Sequence, residues 1–172
     1  MKKKNLKNAY YAFSNSIISY GIHIWGNGTG INKVLLLQKK VVRILSGSST
    51  VDHTRPLFRN ERILTVINLY IFQCLLKLKS NLSDYNTGMG QHQYNTRNNF
   101  NLIIPRVRLS KSKKWYSSIA VALFNKLPQS AFTVSMKRFK LCLWSWLVEH
   151  LFLIFKNFFI LRWIYHFRPG LL

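Results

Sequence analysis

Four carboxylates, Asp52, Glu61, Asp84 and Glu149, stand against 26 lysines and arginines, and no fold can pair charges in that ratio. The net charge of +22 must be spread over a surface that repels itself, or laid against a polyanion. Ordinary soluble domains interleave both signs. Nucleic acid and anionic lipid are therefore the partner classes that this sequence favours. The same scarcity restricts chemistry. None of the four acids forms a DD or DxD pair of the kind that holds two metal ions. The five histidines, His23, His53, His92, His150 and His166, are scattered. Cys74 and Cys142 sit singly among apolar residues, without the spacing of a zinc site or a disulfide framework. No catalytic constellation, metal or cofactor is implied.

Hydrophobic residues make up 48% of the chain, enough to bury a core. An apolar, aromatic helix is predicted from Leu6 to about Trp25, broken at Gly26-Asn27-Gly28. The GNGTG of residues 26–30 lacks the Gly-Lys-Ser/Thr ending of a phosphate loop and reads as a turn. A second helix spans Ile31 to Leu45 and stops at Gly47. At 100° per residue, Val34, Leu37, Val41, Ile44 and Leu45 fall on one face. Lys33, Lys39, Lys40 and Arg43 fall opposite, with Leu36 the misfit. Such a helix packs on one side and either keeps a basic back in solvent or lays it along a phosphate backbone. Asp52 or Thr54 is expected to cap a short turn around Pro56, and an apolar helix follows from about Thr65 to Lys79.

Residues 80–113 are rich in Asn, Ser, Gly and Gln and have few periodic apolar positions. They read as an extended basic connector, with one short strand allowed at Asn101–Ile104. Arg97, Arg106, Arg108 and Lys111 lie in this stretch and form a second set of candidate phosphate contacts. A helix near Trp115–Lys126 is ended by Pro128, and a long one runs from about Met136 to Tyr165. That last helix is apolar almost all round, apart from a stripe of Arg138, Ser145, Glu149 and Lys156. Its charges leave no uncharged run of the ~18–20 residues that a membrane span needs. Binding at a lipid interface through its aromatic residues is the alternative reading. The opening MKKKNLKNAYYAF has no clean apolar run or cleavage site and is not read as a signal peptide.

Four blocks then occur in order: YYAFSNSIISYGIHIWG, LLLQKKVVRILSG, HTRPLF with ILTVINLYIFQCLL, and YNTRNNFNLIIPRVRLSKSKKWYSS followed by ALFNKLP. Together, over residues 9 to 150, they resemble the segment that follows the polymerase palm in non-LTR retrotransposon reverse transcriptases, of the kind abundant in arthropod genomes. Helical periodicity at 31–45 and 136–165, against few alternating runs, predicts a mainly α fold of two helical groups joined by the basic connector. By the resemblance, residues 1–84 would be a thumb-like region that grips a template–primer duplex, 85–114 a basic, Asn/Ser-rich connector, and 115–172 a C-terminal helical region. The resemblance places the metal-binding aspartates of the palm before Met1, so the chain as it stands is expected to be no enzyme. The implied partners are an RNA, DNA or hybrid backbone and the palm and fingers of a parent polymerase. A functionless relic of such an element is the remaining alternative.

Overall fold

The computed structural model describes residues 3–88, 101–109 and 115–153. The described residues form nine α-helices: α1 (Lys3–Ala9), α2 (Ser16–Ser19), α3 (Ile22–Trp25), α4 (Ile31–Ser46), α5 (Thr54–Asn60), α6 (Val66–Ser80), α7 (Tyr116–Phe124), α8 (Ser130–Thr133) and α9 (Met136–Glu149). No strand occurs among them, only an isolated antiparallel bridge between Thr87 and Leu102. The protein is mainly α, as its apolar periodicity predicts.

Local chemistry explains where the helices end. Gly47 takes φ +66 after α4, a left-handed conformation that costs glycine little. There the Ser48 amide donates to the Arg43 carbonyl (3.0 Å) and the Gly47 amide to that of Ile44 (3.2 Å). The first helix departs from expectation. A π-helical stretch, Tyr10–Asn15, joins α1 to α2, and the break comes at Tyr20–Gly21, ahead of the predicted Gly26. Serine hydroxyls compete for the backbone here. Ser16 Oγ donates to the carbonyls of Ala12 (2.5 Å) and Phe13 (2.9 Å), and Ser19 Oγ to that of Asn15 (2.6 Å). Gly26 is instead held by packing. A Cβ there would lie 2.5 Å from the Ile22 carbonyl oxygen and 2.8 Å from Cγ of Tyr70. The final helix is also shorter than predicted. It ends at Glu149, residues 150–153 are not helical, and 154–165 lie outside the described residues.

The described chain forms two compact units, residues 3–70 with 145–153, and residues 71–88, 101–109 and 115–144. In the first, α4 packs on α1 and α5. Its core gathers Tyr10, Val42, Leu45, Phe58 and Ile63, with Leu6, Val41, Leu57 and Leu151 around them. Fully burying Phe58 contributes about 2–3 kcal/mol. Two buried polar side chains serve the same unit. Gln38 Nε2 donates to Tyr10 Oη and to the Leu64 carbonyl, both at 2.9 Å, while its Oε1 accepts from the Val66 amide at 2.8 Å. Asn68 Nδ2 donates to the carbonyls of Leu147 (2.6 Å) and His150 (3.0 Å), and its Oδ1 accepts from the Phe152 amide (2.9 Å). These bonds tie the start of α6 to the end of α9.

Burial pushes the Tyr10 hydroxyl up to about 12 from its ordinary 10, against a smaller lowering by the bond from Gln38. Its folded-state pKa is raised, so its stabilisation is complete below pH 10. As the pH climbs from 10 towards 12, the unfolded chain releases this proton and the folded one keeps it. Roughly 2–3 kcal/mol of stability should be lost across that window. Urea unfolding of the protein and of Tyr10→Phe, at pH 9 and at pH 11.5, checks this through the change in their difference. A constant difference would contradict it.

In the second unit, α7 buries Ile119, Ala120, Val121, Leu123 and Phe124, and α9 contributes Phe139 and Leu143. Phe124 meets Phe132 edge-on at 4.6 Å between ring centroids. Asn125 clamps the backbone of Leu102 with two bonds, one accepted from its amide (2.9 Å) and one donated to its carbonyl (2.8 Å). The predicted connector is therefore fixed at residue 102. Much of the remainder, 89–100 and 110–114, lies outside the described residues.

Candidate nucleic-acid interface

The predicted packing face of α4 needs correction. The buried positions are Leu35, Gln38, Val42 and Leu45, which turns the helix roughly a quarter turn from the predicted face. Leu37 and Ile44, expected inside, are 61% and 70% exposed. The reason is Gln38, a polar residue that belongs to the core because it satisfies Leu64 and Val66 there.

With the helix in that orientation, the four basic residues separate into two pairs. Lys33 and Lys40, two turns apart, stand exposed. Lys39 and Arg43, one turn apart, are half-buried and line a pocket of about 450 Å³. Arg43 Nε and Nη2 donate to the Asp52 carbonyl at 3.2 and 3.0 Å, which fixes the loop after α4. The Asp52 carboxylate closes a turn by accepting from the Ser49 amide at 2.8 Å, and it does not cap α5. His53 and Arg55, exposed residues at the start of α5, complete the basic lining, and Val51 and Leu153 supply apolar wall.

Arg106 and Arg108 are exposed in the second unit, and Arg97 and Lys111 lie outside the described residues. The structure thus brings together Lys39 and Arg43 of the predicted set and adds His53 and Arg55. The added pair sits in HTRPLF, a block whose charges have no helical period to mark them. Other cations serve the fold itself. Burial pulls the Lys79 ammonium below its ordinary value while Nζ donates to the carbonyls of Ala131 (3.0 Å) and Phe132 (2.5 Å). Lys7 Nζ donates to the Glu61 carbonyl at 2.5 Å and lies 4.0 Å from its carboxylate. Arg59 Nη2 donates to the Glu149 carbonyl at 2.7 Å.

Among the described residues no group of three His, Cys, Asp or Glu side chains is placed to hold a metal ion. No described helix is long and apolar enough to cross a membrane. Large apolar residues are exposed in the first unit: Phe13, Ile17, Tyr20 and Ile24, between 72% and 85% accessible. No protein-family model, curated protein or solved structure matches the chain.

Proposed function

We propose that the protein is a non-catalytic, nucleic-acid-gripping piece of a non-LTR retrotransposon reverse transcriptase, its thumb and post-thumb region. It holds the template–primer backbone without reading sequence. The observation that carries this reading is the charge of +22, with Lys33 and Lys40 exposed along α4 beside the Lys39/Arg43 recess. Backbone grip needs cations that reach phosphates and no base-specific donors. The exposure of Phe13, Ile17, Tyr20 and Ile24 fits a piece that docks by apolar surface on the palm of a parent polymerase. Two-metal phosphoryl transfer would then belong to that palm. The Asn/Ser-rich connector extends the grip through Arg97, Arg106, Arg108 and Lys111.

Salt titration tests the reading. If each of the two basic sets neutralises about three to four phosphates of a template–primer with an unpaired template end, the slope of log affinity against log salt is roughly −5 to −7. Reversing Lys33 and Lys40 to Glu should weaken binding to every duplex alike and flatten the slope by about two. Arg43 is left in place because it also fixes the Asp52 carbonyl. A slope near zero, or one untouched by the reversal, would sink the proposal.

A further inference from the structure

We infer that the recess between α4 and the start of α5 takes one unpaired nucleotide, so that the protein prefers ends and overhangs over continuous duplex. The inference rests on the nucleic-acid reading above and assigns a separate role to one part of that surface. Duplex phosphates lie on the outside of a convex cylinder, with their bases turned inward and paired. Exposed side chains such as Lys33 and Lys40 can meet them, but a recess of about 450 Å³ cannot admit a nucleotide whose base stays in the stack. A pocket of this size belongs in the range of small-ligand sites.

Its lining divides in the way that a nucleotide divides. Lys39 and Arg43 from α4, with Arg55 from α5, present cations to a phosphate. Val51 and Leu153 offer apolar contact to a sugar or a base. Among the described residues that line the pocket, Asp52 is the one anionic group, and its Oδ2 already accepts from the Ser49 amide. The Arg43 guanidinium is held in place through the Asp52 carbonyl, so this charge is pre-positioned. Phosphate and apolar contacts carry no base identity, so the preference is for an unpaired nucleotide of any sequence.

Fluorescence anisotropy with the full chain tests this. One probe is a blunt RNA–DNA hybrid of about 24 base pairs, and the other has the same number of phosphates with about four nucleotides unpaired at each 3′ end. The overhang probe should bind about tenfold more tightly, the scale of one well-placed charge-assisted contact. Arg55→Ala and, separately, Lys39→Ala should each bring the two probes to equal affinity, with helix content checked by circular dichroism. Lys33→Glu should weaken both probes and keep their ratio. Equal affinity for the unaltered protein, or a ratio that survives both alanine variants, overturns the inference and leaves duplex binding standing. Failure of both probes to bind overturns the nucleic-acid reading as well.

Discussion

Asn68→Ala should lower the unfolding free energy by about 4 kcal/mol, a large share of the roughly 5–15 kcal/mol that holds an ordinary domain together. Asn68 is fully buried, and its two polar atoms serve the carbonyls of Leu147 and His150 and the amide of Phe152. Its Oδ1 also lies 3.2 Å from Thr65 Oγ1, which accepts from the Asn68 amide and donates to the Phe152 carbonyl at 2.9 Å. Truncation takes this partner from several buried backbone groups at once, at about 1–3 kcal/mol for each that water does not reach. Urea unfolding followed by tryptophan fluorescence measures the loss. A change below about 1 kcal/mol would mean that water replaces the amide without strain.

Gln38→Leu should cost about 3 kcal/mol although it swaps a polar side chain for an apolar one of similar size. In a core made only of hydrocarbon the exchange would stabilise, because it removes a buried amide that has no partner. Here the amide group serves the Leu64 carbonyl and the Val66 amide, and the latter is one of the first donors of α6, which has no acceptor within its own helix. The Tyr10 hydroxyl loses its donor as well. Retention of wild-type stability by the leucine variant would show that α6 starts without this bond.

The element boundaries that could be read in the sequence are those written in local chemistry. Gly47 ends α4 where predicted, because a left-handed residue and two amide–carbonyl bonds need no distant partner. The facing of α4 could not be read in the same way. A hydrophobicity pattern assigns Gln38 to solvent and Leu37 to the core, and the reverse holds because Gln38 has acceptors and a donor waiting near residues 64–66. Asn68 left a trace, as the lone amide in the apolar run ILTVINLYIF, but the groups it serves are 79 to 84 residues away. The end of α9 had no marker, since the sequence stays apolar through Leu151, Phe152 and Leu153. Of the candidate interface, the basic residues of α4 were legible by period alone. Their division into an exposed pair and a pocket pair was not, because His53 and Arg55 join Lys39 and Arg43 only through the turn at Gly47 and the packing of α4 on α5.

The bond from the Phe152 amide to Asn68 spans 84 residues, and it has a consequence in time. A ribosome adding roughly 5–20 residues per second takes about four to seventeen seconds to travel that distance. During this interval the first unit has its helices α1 to α5 but not the segment that completes it. Nascent chains paused between Asn68 and Phe152 should therefore present an open apolar seam, and they are the species on which chaperones and proteases would act.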